Sequence, residues 1–556
     1  MGEWTIGAVL DAIAEAVPDR PMTVCGGRRS TFAETADRTR RLANFLAVHG
    51  FGAHRERAEL ANWECGQDRV ALIMHNDLYP DMVIGCLKAR TVPVNVNYHY
   101  TPREVADLLA YVKPRAVIYH RSLGAKFAGV LPPSGAELLI AIDDGPEGPE
   151  GPEGSDGSDC SNGVGLSGAI DLEDALAQGD VDQPITPSPD DVLMICTGGT
   201  TGRPKGVMWR QSDTYTVSMN GADHDSVDEI HDKVRHAGPP WFAVSPLMHA
   251  AGMWTAFAGA LSGQTVVLYD STRFDARRVL RTAEREKVGL MTMVGDAYAG
   301  PLVAEMRQHR YDLSALFAVA AGGAATNSKH QRALLDMLPQ ITFINGYGSS
   351  ETGNVGFGRS QRGDEKETFE LRDGALVVAE DYGRFLEPGE TQIGWVARAG
   401  RIPLGYFDDP EGTSRTFPEV QGRRVVISGD RGSLAPDGTL VLYGRDSLVV
   451  NTGGEKVFVE EVEEVLRAHP GIVDALVVGR PSERWGQEVV ALVALRGDSE
   501  RDSSPSALHA HCTAALAGFK TPKEFITVDE IRRLGNGKAD YRWAREVAVQ
   551  SAMRMA

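Results

Sequence analysis

The sequence predicts an α/β protein with a large N-terminal domain of parallel-rich sheets and a small α+β domain at the C-terminus. Three observations support this prediction. Helical and strand-like apolar patterns alternate along the first part of the chain. A short apolar run at residues 192–196 directly precedes a segment rich in glycine and threonine. After about residue 420 the pattern changes to short strands and hairpins. The 556 residues, 42% of them hydrophobic, suffice for more than one packed domain.

The first part of the chain begins with clear elements. In order, we predict a helix over 6–16, a strand over 70–74, a helix over 82–89, a strand over 91–96 and a helix over 102–112 with Thr101 as its N-cap. Two polar, charged segments, 54–67 and 224–236, predict solvated surface. Residues 145–165 contain three tandem Gly-Pro-Glu repeats, which predict an acidic low-complexity loop.

The last part predicts a separate compact unit. Its elements are strands over 424–427 and 439–443 around a turn at 436–438, a hairpin of strands 448–450 and 456–459, a helix over 460–468, strands over 474–478 and 489–495, a helix over 506–517 and a strand over 524–528. We place the boundary near Arg445. The predicted domains are therefore 1–444 and 445–556, the second within the usual size of a domain.

Composition excludes several classes of partner. The formal net charge of −19 argues against nucleic acid and against docking on anionic lipid. The six cysteines show no metal-ligand spacing and no disulfide framework. No signal peptide or membrane-spanning segment is evident. A soluble, cytoplasmic protein is expected.

The glycine- and threonine-rich segment reads Thr197-Gly-Gly-Thr-Thr-Gly-Arg-Pro-Lys-Gly206. Glycines let backbone N–H groups approach an anion, and hydroxyls and an ammonium add donors. This composition predicts binding of a polyphosphate. The pattern is not a Walker loop, and a flexible surface loop is the alternative interpretation.

Five further motifs follow. They are Tyr347-Gly-Ser-Ser-Glu-Thr-Gly353, Ser428-Gly-Asp-Arg-Gly432, Tyr443-Gly-Arg445, Gly453-Gly-Glu-Lys456 and Asn536-Gly-Lys538. In identity and order the series resembles the adenylate-forming synthetases, a superfamily that includes acyl-CoA synthetases, adenylation domains of peptide synthetases and firefly luciferase. The resemblance implies that a carboxylic acid is joined to AMP with release of pyrophosphate, after which a thiol displaces AMP.

The resemblance also implies a nucleotide site. The triphosphate cradle would comprise Thr197, Gly198, Gly199, Thr200, Thr201, Gly202 and Lys205. Glu351 matches the metal-binding glutamate, a hard oxygen ligand suited to Mg²⁺. Tyr347 matches the aromatic residue on adenine, Ser350 a contact to the α-phosphate, Asp430 the acceptor of two ribose hydroxyls and Arg445 a further ribose or phosphate contact. The alternative interpretations are an exposed loop acid for Glu351, a core tyrosine at a strand end for Tyr347 and a surface arginine at a domain edge for Arg445.

Lys538 matches the lysine that the small domain brings to the substrate carboxylate and phosphate during adenylation; a solvated surface lysine is the alternative. The small domain is expected to be mobile, with a tentative hinge at Ser447. After rotation it would present Gly453, Gly454 and Lys456 to the pantetheine arm of CoA.

The residues expected to bind the acyl group form a less distinctive pattern. His249 is a candidate gate, and a satisfied core histidine is an equal alternative. Gly323 matches the glycine segment that lines the adenine and acyl pockets. Met248, Met253 and Trp254 make the neighbourhood apolar, and no aspartate occurs between residues 245 and 257 to hold an amino-acid ammonium. A hydrophobic acid is predicted.

Two less common motifs narrow the resemblance. Val207-Met-Trp-Arg210 and Asp540-Tyr-Arg-Trp543 are similar to segments of bacterial long-chain and steroid-side-chain acyl-CoA synthetases. The leading hypothesis is an ATP-dependent acid:CoA ligase for such acids, with ATP, Mg²⁺ and CoA; the class admits a homodimer. An acyl-AMP ligase that loads a carrier protein and an inactive acyl-nucleotide-binding protein are the alternatives. Nothing favours a luciferase-like oxygenase.

Overall fold

The computed structural model describes residues 2–144, 165–198, 204–324, 326–363, 368–452, 455–482, 486–497, 503–516, 518–534 and 538–555. The predicted acidic loop at 145–165 lies outside these residues except for Gly165. The first elements are α1 (Ile6–Ala16), β1 (Pro21–Cys25), β2 (Arg28–Thr31), α2 (Phe32–Val48), β3 (Arg69–Ile73), α3 (Tyr79–Lys88), β4 (Val92–Asn95), α4 (Pro102–Val112), β5 (Ala116–His120), α5 (Arg121–Phe127), β6 (Leu138–Ile142), β7 (Ile170–Asp171) and α6 (Leu172–Gln178).

The middle of the chain continues the alternation. Its elements are β8 (Val192–Gly198), β9 (Pro204–Arg210), α7 (Gln211–Ser218), α8 (Val227–Val234), β10 (Trp241–Ala243), α9 (Ala250–Ala260), β11 (Val266–Leu268), α10 (Ala276–Arg285), β12 (Leu290–Met293), α11 (Gly295–Gln308), β13 (Ala318–Ala321), α12 (Ser328–Met337), β14 (Thr342–Ser349) and β15 (Gly353–Ser360). Strand-rich chain follows, with β16 (Thr368–Leu371), β17 (Ala375–Val378), β18 (Gly394–Ala399), β19 (Gly405–Tyr406), α13 (Pro410–Thr416), β20 (Glu419–Val420), β21 (Arg423–Leu434) and β22 (Leu440–Arg445).

The helices predicted near the N-terminus are confirmed because their local signals are strong. The α1 helix spans the predicted residues. In α4, the Thr101 hydroxyl accepts a hydrogen bond from the Glu104 N–H, and the Glu104 carboxylate accepts one from the Thr101 N–H. This reciprocal capping box satisfies two backbone donors at the helix start.

One sheet has the strand order β19-β9-β8-β4-β3-β5-β6-β7. Its strands from β8 to β7 run parallel, and β9 and β19 add antiparallel strands at one edge. The five residues of β5 are all buried, as expected for a parallel strand covered on both faces. This sheet places the end of β8 and the start of β9 side by side.

A second sheet has the order β17-β18-β21-β22-β16-β15-β14-β13-β12-β10-β11-β1-β2, with β20 paired to β21. Strands β1, β11, β10, β12, β13 and β14 are parallel, but the strands from β14 to β17 are antiparallel. The prediction of parallel-rich sheets therefore fails for this half. The physical reason is connectivity, because short turns join several of these strands, whereas parallel neighbours need a crossover.

The two segments predicted as solvated surface are only partly so. Gln67 is buried, and its amide donates to Asp191 Oδ1 at 3.1 Å. The segment 224–236 contains α8, whose Ile230 and Val234 are buried. The prediction was wrong for these residues because two apolar residues four apart already give one helix face that can pack.

The last unit is built from β23 (Val450–Thr452), β24 (Glu455–Val457), α14 (Val459–Ala468), β25 (Ile472–Ser482), β26 (Gly486–Leu495), α15 (Pro505–Ala515), β27 (Glu524–Val528) and α16 (Tyr541–Met555). Its sheet has the order β24-β23-β26-β25, with β27 parallel to β26. The hairpin, strands and helices predicted after residue 445 are found with bounds shifted by a few residues, and α16 was not predicted. The strands predicted over 424–427 and 439–443 as part of this unit lie instead in the second sheet, as β21 and β22. The core of the last unit is separate, with Val462, Leu466 and Val477 among its buried members. The division at 444/445 remains a prediction.

In the described part of the chain, no helix is long and apolar enough to cross a membrane.

Candidate active site

The end of β8 and the start of β9 bring two predicted phosphate ligands together. Thr197 and Lys205 are register partners across this antiparallel pair. Gly198, which also ends β8, pairs with Pro204. Gly199, Thr200, Thr201 and Gly202 lie outside the described residues. Asn95, at the end of β4, accepts a hydrogen bond from the Cys196 N–H at 2.7 Å and donates to the Met248 carbonyl at 2.6 Å, which ties the strand end to the segment before His249.

A carboxylate on β21 is the centre of a second group of contacts. Asp430 Oδ2 accepts hydrogen bonds from the Tyr347 phenol at 2.8 Å and from the Ser428 hydroxyl at 3.2 Å. Arg445 Nε lies 3.3 Å from Asp430 Oδ1. Burial raises the pKa of Tyr347 well above its usual range, and the Asp430 charge adds to the effect. The phenol therefore stays protonated and serves as a donor. Tyr347, Asp430 and Arg445 thus form one connected group.

Glu351 has a partner that the sequence analysis missed. Tyr406, in the short strand β19, donates its phenolic hydrogen to Glu351 Oε1 at 3.1 Å. The Lys205 ammonium lies 4.4 Å from the centroid of the same ring. The contacts join residues 55 and more than 200 positions apart, so periodicity offered no signal. The nearest local signal is Asp409-Pro410, which is typical of a helix start and directly follows the turn that carries Tyr406.

The donor set around Glu351 fits Mg²⁺. One carboxylate oxygen accepts from Tyr406, and no described residue bonds the other. Among the described residues, no group of three or more His, Cys, Asp or Glu could form a protein cage for a metal. Mg²⁺ typically takes one or two carboxylates and completes its shell with phosphate and water, so a single carboxylate beside a phosphate loop suits it.

Lys538 comes from the last unit and lies among these charges. Loss of hydration lowers its pKa, the nearby Arg445 charge lowers it further, and Glu351 and Asp430 raise it. The side chain nevertheless keeps access to solvent at the edge of the cluster. Its backbone is held by a hydrogen bond from the Leu534 N–H to the Lys538 carbonyl at 2.8 Å. The predicted lysine is therefore close to the predicted metal and ribose ligands.

Arg445 lies close to the carboxylates of Asp430 and Glu351. Burial works against its positive charge, but Asp430 and Glu351 prevail and raise its pKa. The cluster thus combines Lys205, Arg445 and Lys538 with Glu351 and Asp430. Cations and hydroxyls that lie close together at one site can stabilise an anion in which negative charge accumulates.

His249 is the N-cap residue of α9 and lines a cavity of about 230 Å³. Burial lowers the pKa of His249 to about 4, and the Lys538 charge contributes. The ring is therefore neutral at physiological pH. The other lining residues are mainly apolar and include Tyr79, Leu193, Met194, Met248 and Met253. No described residue that lines the cavity carries a carboxylate or an ammonium.

Of the remaining predicted residues, some have described surroundings and others do not. Gly323 has a φ of +78° at the turn after β13, and a Cβ there would lie 3.7 Å from Ala251, close to the His249 segment. The Ser350 carbonyl accepts a hydrogen bond from Trp209 at 2.8 Å, which fixes the turn before Glu351. Gly453 and Gly454 lie outside the described residues, and of Lys456 only the backbone, in β24, is described.

Comparison with known proteins shows the family to which the chain belongs. The family model described as AMP-binding enzyme matches residues 10–394, and the model of its C-terminal domain matches residues 461–538. The chain belongs to the AMP-binding enzyme family. The matched ranges include Thr197, Glu351 and Lys538.

Curated relatives match over nearly their whole length. The medium-chain acyl-CoA ligase Mig of Mycobacterium avium is 41% identical over 98% of this chain and 98% of its own. A medium/long-chain-fatty-acid/3-oxocholest-4-en-26-oate CoA ligase of Mycobacterium marinum is 35% identical over 96% of this chain and 94% of its own. The chain is thus an AMP-forming acid–thiol ligase, a class that uses ATP, Mg²⁺ and CoA.

Solved structures agree on the fold. The anthranilate CoA ligase AuaEII, in complex with anthranoyl-AMP, superposes with a TM-score of 0.78 at 20% identity, covering 99% of this chain and 98% of that one. A Mycobacterium tuberculosis fatty acyl CoA synthetase gives a TM-score of 0.67 at 21% identity, covering 98% and 99%. The predicted adenylate-forming fold is confirmed.

Proposed function

We propose that this ligase forms an acyl-adenylate at the cluster described above and then transfers the acyl group to CoA. The observation that carries the proposal is the approach of Lys538 to Glu351, Asp430 and Arg445, because these residues come from distant parts of the chain and lie close together. The alternatives, an acyl-AMP ligase for a carrier protein and an inactive binding protein, have no such specific observation in their favour.

In the first step, the charged residues have distinct tasks. Asp430 accepts hydrogen bonds from the ribose, with Tyr347 against the adenine and Arg445 on the same side. Thr197, Lys205 and the Ser350 hydroxyl would contact the phosphates. Glu351 would hold Mg²⁺, which would neutralise part of the phosphate charge when bound. The Lys538 ammonium stabilises the negative charge shared by the attacking carboxylate and the α-phosphate.

The second step needs Lys538 to leave. Arg445 ends β22 and the three-residue turn Asp446–Leu448 follows, so a rotation at Ser447 would move Lys538 without disturbing the Asp430–Arg445 contact. The same motion would bring Gly453, Gly454 and Lys456 to the thiol path. A few residues at the end of an element suffice as a hinge.

For the acid, we propose a medium- to long-chain fatty acid. The cavity beside His249 is lined mainly by apolar side chains, which suit the chain of a fatty acid. The similar Mig protein is named as a medium-chain acyl-CoA ligase and is 41% identical to this chain. Steroid-side-chain acids are the second candidate, because a 3-oxocholest-4-en-26-oate CoA ligase of Rhodococcus rhodochrous is 34% identical over 97% of this chain.

A pyrophosphate-release assay tests both parts. Saturated fatty acids of increasing length and 3-oxocholest-4-en-26-oate are compared, each with and without CoA. Acid-dependent release with a maximum at medium or long chains, and a CoA thioester as product, supports the proposal. Faster turnover of the steroid acid would overturn the proposed acid, and an acyl-AMP product that only a carrier protein accepts would overturn the proposed acceptor.

The proposed compartment is the cytoplasm, where ATP and CoA are both supplied. A homodimer is one assembly that the class admits.

A further inference from the structure

Tyr406 lies between two charged groups of the site. Its phenol donates to Glu351 Oε1 at 3.1 Å, and the face of its ring lies under the Lys205 ammonium, 4.4 Å from the ring centroid. The side chain is buried, with only 4% of the residue exposed.

The contact separates two opposite charges. No ion pair joins Lys205 to Glu351 within the described part of the chain, although one tyrosine contacts both. A cation over an aromatic ring and a phenol donating to a carboxylate are both favourable interactions. Each charged group thus has a neutral partner, which leaves the ammonium and the second carboxylate oxygen available for a phosphate and a metal.

Tyr406 is anchored to the strand that carries Lys205. In β19 it is the register partner of Val207 in β9, two residues after Lys205. Tyr111 clamps the pair, since its phenol accepts from the Gly206 N–H at 3.2 Å and donates to the Phe407 carbonyl at 2.5 Å. The Tyr406 N–H donates to the Thr413 hydroxyl at 2.9 Å. The ring and the ammonium therefore keep a fixed spacing.

The outer side of this turn rests on the polar segment 54–67. The Asp408 N–H donates to the Trp63 carbonyl at 2.9 Å. A Cβ on Gly405 would approach the Asn62 carbonyl to 3.0 Å, so the two backbones are close. The segment that the sequence analysis assigned to solvated surface supports the turn that carries Tyr406.

We infer that Tyr406 is a positioning residue for Mg²⁺–ATP: its phenol fixes Glu351 for the metal, and its ring holds Lys205 for the phosphates. The inference rests on the proposed roles of Glu351 and Lys205. The hydroxyl and the ring of Tyr406 contribute separately. Tyr406→Phe removes the hydroxyl alone, and Tyr406→Leu removes the hydroxyl and the ring.

The test is equilibrium ATP binding by titration calorimetry, with and without Mg²⁺, on the full chain. Tyr406→Phe keeps the ring and loses the donor, so the Mg²⁺ concentration for half-maximal binding should rise about tenfold while metal-free ATP binding stays unchanged. Tyr406→Leu also loses the ring, so metal-free ATP binding should weaken about threefold in addition. Tyr311→Phe is the matched control, since Tyr311 donates to Glu305 at 2.6 Å away from the site.

The outcomes separate the two proposals. If wild-type protein fails to bind ATP, the proposed function fails. If wild-type binds ATP and Tyr406→Phe has the Mg²⁺ dependence of Tyr311→Phe, the inference is overturned. Equal weakening of metal-free and metal-loaded binding in Tyr406→Phe would also overturn it, because that result indicates a general structural role. Should Tyr406→Leu fail to fold, the Tyr406→Phe comparison alone decides.

Discussion

Asp430 and Arg445 face each other across β21 and β22 as register partners, with Arg445 Nε 3.3 Å from Asp430 Oδ1. Arg445 is also the last residue of the last strand before the C-terminal unit. The proposed ribose ligand is thus fixed to the strand from which that unit departs. A rotation beyond Arg445 would leave the nucleotide contacts in place and displace only Lys538.

Asp430→Asn should weaken ATP binding. An amide presents one acceptor oxygen where the carboxylate presents two, and the substitution removes the countercharge of Arg445. We expect the KM for ATP in pyrophosphate release to rise about 10- to 100-fold, the range for a hydrogen bond to a charged group. Asp336→Asn is the control, because its ion pair with Arg362 is solvent-exposed. An unchanged KM for ATP would remove Asp430 from the site.

His249 should make the protein sensitive to acid. Its pKa falls from 6.5 to about 4 in the folded state, first through burial and then through Lys538. A depressed histidine pKa adds stability that is present above pH 6.5 and is lost as the pH falls toward 4, because the unfolded chain takes up the proton first. The loss is at most about 3 kcal/mol.

His249→Gln should therefore lose less stability on acidification than wild-type protein. Urea denaturation at neutral and acidic pH measures the difference. The Lys538→Ala variant provides a second check, since removal of that charge should raise the pKa of His249 in an NMR titration. If the pKa stays the same in Lys538→Ala, the two side chains are not neighbours.

Ionisation of Glu460 should lower the free energy of unfolding at alkaline pH. Glu460 lies at the start of α14, near the Arg445 N–H, and its buried Oε2 has no hydrogen-bond partner among the residues that the structure describes. Burial, followed by the charge of Glu463, raises its pKa to about 7, and Asp430 adds a smaller repulsion. A raised carboxyl pKa gives stability that is full below pH 4.5 and is lost as the pH rises through about 7.

Glu460→Gln should remove this loss. We expect the variant to be more stable than wild-type protein at pH above neutral, by at most about 3 kcal/mol, and to converge with it under acidic conditions. Thermal denaturation across this pH range measures the effect. Glu461→Gln is the control, because Glu461 pairs with Lys520 near the surface. A constant difference between Glu460→Gln and wild-type at every pH would contradict the assignment.

The sequence predicted the fold where local signals were sufficient. The Thr101 N-cap and the apolar run of β8 are local, and both lie where they were predicted. The antiparallel half of the second sheet was missed, because β16 pairs with β22 through residues more than 70 positions apart. Such pairings depend on tertiary packing, which periodicity does not report.

The charged residues of the candidate site were indicated by the sequence, but the residues that hold them in position were not. Motif order indicated Glu351, Asp430 and Lys538. Tyr406 and Asn95 were not assigned a role, because each acts through a contact between distant segments. A tyrosine in a two-residue strand and an asparagine at a strand end have no pattern of their own.

The most direct test of the account separates the two half-reactions in Lys538→Ala. Pyrophosphate release from ATP and a fatty acid is measured beside CoA-thioester formation from synthetic acyl-AMP, with Lys520→Ala as a control lysine in the same unit. We expect Lys538→Ala to lose at least about 100-fold in the first reaction and to keep the second, because its ammonium acts only while phosphate charge develops. Equal loss in both reactions, or no loss in the first, would contradict the central claim that Lys538 completes the adenylation site.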